Sequence, residues 1–324
     1  MVFKKLLGSL GVGGPTVDTV LDPGAVTPGG SLGGRVHLKG GSADFTIEHI
    51  TLELVARVEA EQDDGESEGT VAFERFTVSG GFVLAADSEH SIPFTVSLPW
   101  ETPVTELYGQ DLGITLGVRT ELSVSGSRDK GDLDRLTVRP LPAQEAVLEA
   151  FGKLGFGFRS ADLELGHIRG SGQRLPFYQE IELSPAPRYA DRVNEVEVTF
   201  LAGADAVEVV LEADKRGGLH GGGDSISRFT VGAHEIRSRD LAAEIDGWIR
   251  ALAEARSSYG APDTHGHGDG SAHHHSGPGL GTAVAVGAAG LAVGVVGGMV
   301  AAEVIDEVGD FFEGDEEEEG GDEG

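Results

Sequence analysis

The first 140 residues alternate apolar and polar side chains with a period of two. Residues 50–58, 91–98 and 112–124 each carry such a run, and Pro–Gly or Gly–Gly pairs such as Pro23–Gly24 and Gly40–Gly41 separate the runs. Successive side chains of a strand point to opposite faces, so this pattern predicts strands with one buried face. No helical pattern lies between the runs, which disfavours a parallel α/β fold. The spacing therefore predicts an antiparallel β-sandwich.

A proline-containing segment, Arg139-Pro140-Leu141-Pro142, ends this pattern. Proline cannot donate to a strand ladder, so we expect a domain hinge there and a first domain of residues 1–140 with an N-terminal arm. One or two helical turns are predicted next, with one apolar face formed by Val147, Leu148, Phe151 and Leu154. Strand patterns resume between residues 177 and 231 and predict a second antiparallel β-sandwich in tandem with the first.

The period then changes from two to that of a helix. One apolar stripe with helical spacing is formed by Leu241, Ile245, Trp248, Ile249 and Leu252. Such a stripe predicts an amphipathic helix that packs on the second sandwich, with partner binding or oligomerisation as the alternative. The second predicted domain, residues 141–257, includes this helix.

Residues 258–279 are rich in Gly, Ser and His and predict a flexible linker, because this composition buries too little apolar surface to offset chain entropy. Five histidines in the linker are weak candidates for metal ligands: His265, His267, His273, His274 and His275. Since a linker offers no ordered groups to orient the imidazoles, we expect adventitious metal binding and no resident metal or other cofactor.

Residues 280–324 form a Gly/Ala-rich apolar segment and an acidic tail. No charge occurs between residues 280 and 302, and Gly290, Gly294 and Gly298 are spaced four apart. Glycines at that spacing let helices approach closely, so we expect either self-association or membrane contact through them. A membrane-inserted helix, a helix that self-associates or docks in water, and disorder all remain open for this segment.

Charge and composition exclude several classes of function. The chain carries 54 acidic against 24 basic residues, a formal net charge of −30, which argues against nucleic acid as a partner. It has no cysteine, which excludes disulfides and thiol catalysis. A Gly-x-Ser-x-Gly match at residues 29–33 lies in a glycine-rich turn, where a nucleophile elbow is not expected. We therefore expect a non-enzymatic chain. Without a recognisable signal peptide, it is expected in the cytoplasm, with membrane association as the open alternative.

Several short motifs occur together in a recognisable order. They comprise residues 17–21, 34–41, 92–99, 129–140 and the run Leu175-Pro176-Phe177-Tyr178-Gln179-Glu180-Ile181-Glu182-Leu183-Ser184-Pro185. With these motifs, residues 1–236 resemble the sporulation-control (SpoOM-type) family. The resemblance implies an arrestin-like fold of two tandem sandwiches, no catalytic residues, and a role in controlling bacterial sporulation associated with the division or cytoskeletal apparatus.

Two hypotheses follow for function. In the first, the chain is an intracellular adaptor that binds protein partners through the edges of its sandwiches, because an exposed strand edge can pair with an added strand. Its negative field would steer it toward basic partner segments. In the alternative, it is a membrane-associated or oligomerising structural protein driven by the glycine-spaced segment 280–302.

Overall fold

The computed structural model of the protein describes residues 13–62, 65–126, 129–215 and 225–255. Most of these residues lie in strands, and the remainder include two helices. The strands are β1 (Thr16–Leu21), β2 (Ser31–Lys39), β3 (Phe45–Gln62), β4 (Gly65–Leu84), β5 (Glu89–Ser97), β6 (Glu106–Leu107), β7 (Gln110–Asp111), β8 (Leu116–Val124), β9 (Lys130–Arg135), β10 (Gly157–Leu165), β11 (Phe177–Ser184), β12 (Val193–Ala202), β13 (Ala206–Lys215) and β14 (Ser225–Gly232). The helices are α1 (Pro142–Leu154) and α2 (Leu241–Ala255). The mainly β fold predicted from the sequence is confirmed.

The strands form one small and one large sheet, together with the β6–β7 hairpin. The small sheet has the order β1-β2-β5, and the large nine-stranded sheet has the order β14-β13-β12-β11-β10-β3-β8-β9 with β4 paired to β3. The small sheet packs on β3 and β8, and the core between them contains Leu32, Val36, Leu52, Leu54 and Leu122. This is the sandwich predicted for the first domain, with the predicted apolar face of residues 50–58 turned inward.

Strand β3 joins the two halves of the chain. It pairs with β4 over its whole length and with β8 between residues 47 and 56. Beyond β8, its Glu59 pairs in parallel with Glu164 of β10. The first core also takes Leu163 and Phe177 from the second half. The two halves therefore share one continuous sheet.

Side chains add further connections between the halves. The Gln179 amide accepts the Val104 N–H at 2.9 Å and donates to the Val104 carbonyl at 2.8 Å. The Glu101 carboxylate accepts the N–H groups of Arg174 and Leu175. The halves are thus held at several points besides the chain segment that the sequence marks as a hinge.

The second half differs from the predicted second sandwich in what covers its sheet. Strands β10 to β14 form consecutive antiparallel pairs. Their apolar face packs on α1 and α2, and within the described residues the helices take the place expected for a second sheet. The alternating pattern specifies that one face is buried but carries no information about the layer that buries it.

Capping residues explain where helix α1 begins and ends. Pro142 is the first residue of α1, a position where proline's missing N–H costs nothing, and the Gln144 side chain accepts the Leu141 N–H at 2.8 Å. Gly155, with φ +93°, ends the helix, which at 13 residues is longer than the predicted one or two turns. In α2, Leu241, Ile245, Ile249 and Leu252 are buried, as the predicted stripe requires.

Neither described helix is long and apolar enough to cross a bilayer. The linker 258–279 and residues 280–302, which include Gly290, Gly294 and Gly298, lie outside the described residues. The expectations of self-association or membrane contact through them remain predictions, as do the domain limits drawn from the sequence.

Candidate protein-interaction surface

Strand β4 presents a long free edge. It has 20 residues, about 66 Å at a rise of about 3.3 Å per residue, and it pairs with β3 on one side. No other strand in the described part of the chain pairs with it. A free edge carries a row of unpaired N–H and C=O groups, so an extended segment of another chain can pair with it. Exposed side chains flank this edge, among them Thr77 and Val83.

The β4 edge is irregular from Phe73 onward. The register with β3 shifts twice, leaving Phe73 and Val78 as extra residues on β4. Gly80 follows, where a Cβ would collide with the Glu48 carbonyl, so only glycine fits. Bulges bend a strand and increase its twist, which limits uncontrolled pairing along the whole edge. Residues 65–72 form the longest stretch in regular register.

The two ends of the large sheet are less open than β4. At β14, Arg239 donates to the Thr230 carbonyl at 2.7 Å. At β9, the Asp132 carboxylate accepts the Thr19 N–H of β1 at 2.6 Å, and the hydroxyls of Thr19 and Thr120 lie 2.7 Å apart. These hydrogen bonds occupy backbone and side-chain groups of the edge strands, or of residues next to them. Among the edges of the large sheet in the described residues, that of β4 is the longest, with 20 residues against six in β9 and eight in β14.

An ion-pair group holds β4 in place on the outer face of the sheet. The Glu53 carboxylate on β3 is buried, and each of its oxygens accepts two hydrogen bonds from a different arginine. The Nε–H groups of Arg75 on β4 and Arg119 on β8 donate to it at 2.6 and 2.7 Å. Because one carboxylate bridges three strands, β4 offers a partner an edge that is already ordered.

Carboxylates gather farther along the same outer face, on the second half of the sheet. Oxygen atoms of Asp162 and Glu164 on β10 and of Glu180 on β11 all lie within 4.8 Å of one another. Carboxylate oxygens are the ligands that hard cations such as Ca²⁺ take, so these are the residues that could hold one. Alternating acids at residues 162–164 and 180–182 are visible in the sequence, but only the pairing of β10 with β11 brings them together.

Burial dominates the electrostatics of this carboxylate group. Desolvation, followed by the negative charges of Glu197, Asp162, Glu164 and Glu212, raises the pKa of Glu180 to about 9. Burial is also the main cause that raises the pKa of Tyr178 on the same strand. At neutral pH, Glu180 therefore holds its proton in the folded chain.

Replacing Glu180 by glutamine is expected to stabilise the protein at alkaline pH. An ordinary glutamate loses its proton near pH 4.5, whereas Glu180 in the fold keeps it until about pH 9. The unfolded state alone ionises between these values, so the wild type loses stability as pH rises through this window. Glu180→Gln removes that titration and should raise the free energy of unfolding by about 1–3 kcal/mol at pH 8.

Urea denaturation at pH 4.5 and pH 8 measures this effect. The difference between the variant and the wild type should be small at the lower pH and grow at the higher one. Glu89→Gln, at an exposed position, is the matched control and should change stability equally little at both values. A Glu180→Gln effect that is the same at both pH values would contradict the assigned protonation.

The structure describes only some of the candidate site residues that the sequence suggests. His265, His267, His273, His274 and His275 lie outside the described residues, so the expectation of adventitious metal binding stays a prediction. Ser31 of the Gly-x-Ser-x-Gly match begins strand β2. A nucleophile elbow opens a helix, so this serine does not have that geometry.

Comparison with known proteins identifies the family. A family model described as SpoOM protein matches residues 3–217. The chain belongs to the SpoOM protein family. The sporulation-control protein spo0M of Bacillus subtilis (strain 168) is 37% identical over 246 residues, which cover 75% of this chain and 92% of that protein. The SpoOM resemblance stated from the sequence motifs is thereby confirmed.

A solved structure of a SpoOM protein supports the fold. The crystal structure of Spo0M, sporulation control protein, from Bacillus subtilis matches with a TM-score of 0.67 at 33% sequence identity. The match covers 74% of this chain and 100% of that chain. The shared architecture therefore extends over the whole of the solved SpoOM chain.

Proposed function

We propose that this sporulation-control family member is a non-enzymatic adaptor that binds protein partners, with the free edge of β4 as its main contact strand. The main support for this proposal is that β4, a strand of 20 residues, pairs on one side only within the described residues. Membership of the SpoOM family supports a regulatory role. The partners we propose belong to the bacterial division or cytoskeletal apparatus.

The physical properties of β4 support strand addition as the mode of binding. Backbone hydrogen bonds to an added strand provide affinity, and side chains on alternate positions provide selectivity. The bridge from Glu53 to Arg75 keeps the edge ordered before binding, so little ordering entropy is lost when a partner pairs with it. The net charge of −30 favours protein segments that carry basic residues.

Site-specific photo-crosslinking tests the proposed edge. A benzoylphenylalanine placed at Thr77 or at Val83 on β4, in the full chain expressed in its native cells, should form an adduct with the same protein at both positions. Glu149 on α1 is the matched control, since its side chain is also exposed, at 58%, but lies on a helix. Mass spectrometry of the adducts identifies the partner.

The pattern of adducts decides the outcome. A partner that is trapped from both β4 positions and absent from the Glu149 control supports the proposal. Adducts of equal yield at all three positions, or none at the β4 positions, would refute β4 as the contact strand. An adduct that contains only a second copy of this chain would refute the adaptor role.

A further inference from the structure

A cleft of about 370 Å³ opens at one end of the first sandwich, away from the carboxylate group on the outer sheet face. Its lining mixes polar and apolar groups, and the apolar ones are Leu21 at the end of β1, Leu32 on β2 and Leu136 after β9. Leu32 and Leu136 are almost fully buried. This volume lies in the range of sites that hold small ligands, so it can receive an aliphatic side chain and its neighbour.

Residues 22–26 form one wall of the cleft and are tied to both layers of the sandwich. The Asp22 N–H donates to the Gly33 carbonyl of β2 at 2.9 Å. The Val26 N–H donates to the Thr137 carbonyl, beyond β9, at 3.0 Å, and the Arg139 N–H donates to the Val26 carbonyl at 2.8 Å. Because both ends of this wall are fixed by backbone bonds, the cleft is present before any ligand binds.

The charged groups around the cleft leave an excess of negative charge. Asp22, Glu106 and Arg135 line it. Arg135 is 2.7 Å from the Asp111 carboxylate, so its charge is already paired. Neither Asp22 nor Glu106 forms a salt bridge with any residue that the structure describes. The cleft therefore combines the partly exposed Leu21 with two carboxylates that have no cationic partner among these residues.

We propose that this cleft binds a lysine side chain, flanked by an aliphatic residue, from a segment of a partner protein. The aliphatic stem of lysine suits the partly exposed Leu21, while its ammonium group is complementary to Asp22 and Glu106. A neutral apolar segment would leave both carboxylates without a counter-charge, and an anionic one would be repelled. The proposal rests on the proposed adaptor function and adds to it the chemistry of the segment that is recognised.

Methyl NMR of the full chain tests this with a defined probe. Titration with the tripeptide acetyl-Leu-Lys-Leu-amide should shift the methyl signals of Leu21, Leu32 and Leu136. The analogue with norleucine in place of lysine should bind about fivefold more weakly, because it cannot use the two partly screened charges. The Asp22→Asn/Glu106→Gln variant should lose about the same factor for the lysine peptide and nothing for the analogue.

A charge-matched variant controls for the field of the whole protein. Glu89→Gln/Asp205→Asn also removes two exposed carboxylates, but neither residue lines the cleft. It should leave the affinity for the lysine peptide nearly unchanged. Equal affinity for the two peptides, equal losses in the two double variants, or peptide shifts confined to the β10–β14 face would each overturn the proposal.

The two experiments fail independently. Peptide binding in the cleft with no adducts from Thr77 or Val83 would refute β4 as the contact strand and support the cleft. Adducts at β4 with no preference for the lysine peptide would refute the cleft and leave the adaptor function standing.

Discussion

Replacing Leu54 by aspartate is expected to lower the free energy of unfolding by more than about 4 kcal/mol, because it places a carboxylate in a fully apolar site. Leu54 is 0% exposed and lies in the core between the two sheets. Whole domains are stable by only about 5–15 kcal/mol, so we expect much of the variant to be unfolded at growth temperature. Circular dichroism during thermal and urea denaturation measures the loss.

Two variants show whether burial is the cause. Leu54→Ala, which removes apolar contacts without adding a charge, should cost about 2–4 kcal/mol. Val83→Asp makes the same kind of change on β4 at a side chain that is 59% exposed, and should cost less than about 0.5 kcal/mol. If Leu54→Asp melted at the wild-type temperature, the face of β3 assigned to the core would be wrong.

Replacing Glu53 by glutamine is expected to lower the free energy of unfolding by about 2–3 kcal/mol. Glutamine keeps the shape of the side chain but leaves the guanidinium groups of Arg75 and Arg119 close together without the carboxylate between them. Breaking a buried ion pair costs about 3–5 kcal/mol, and the partly exposed arginines reduce that figure through solvent screening. Urea denaturation at neutral pH measures the change.

An exposed ion pair between the same two strands is the matched control. Glu68 on β4 pairs with Arg57 on β3, and its side chain is 49% exposed. Glu68→Gln should therefore cost less than about 0.5 kcal/mol. Equal losses for Glu53→Gln and Glu68→Gln would contradict the importance of burial. A triple change of Glu53, Arg75 and Arg119 to methionine should recover part of the stability, since no buried charge is left without a partner. The recovery is incomplete because Glu121, which is 3.6 Å from Arg75, loses that ion pair.

Local patterns in the sequence predicted the parts of the fold that depend on local chemistry. The alternation around Leu54 correctly predicts the face of β3 that packs in the core, although the opposite face, with Glu53 and Val55, is buried as well. The stripe from Leu241 to Leu252 correctly predicts the buried face of α2. Both follow from a periodicity of side chains that is fixed by strand or helix geometry. Residues 139–142 end a strand pattern as predicted, whereas the position of Pro142 as the first residue of α1 is found only in the structure.

The parts of the fold and of the candidate sites that local patterns do not predict depend on contacts between segments that are distant in sequence. The pairing of Glu59 with Glu164 joins strands from the two halves, and no local pattern encodes it. The carboxylates of Asp162 and Glu180 become a group only because β10 and β11 pair in one register. Likewise, the cleft beside Asp22 and Glu106 forms where four separate segments meet. Such sites require the tertiary structure, whereas the family motifs could be read from the sequence alone.

The sharing of β3 by both halves has a consequence for synthesis on the ribosome. Glu59 leaves the exit tunnel about a hundred residues before its partner Glu164, so this long-range pairing must wait for loop closure. Until β10 emerges, one edge of β3 beyond residue 56 has no neighbouring strand to pair with. The first sandwich is therefore completed late in translation. In the interval, the nascent chain exposes an unpaired strand edge that is prone to aggregation, and we expect chaperone binding to matter most at this stage.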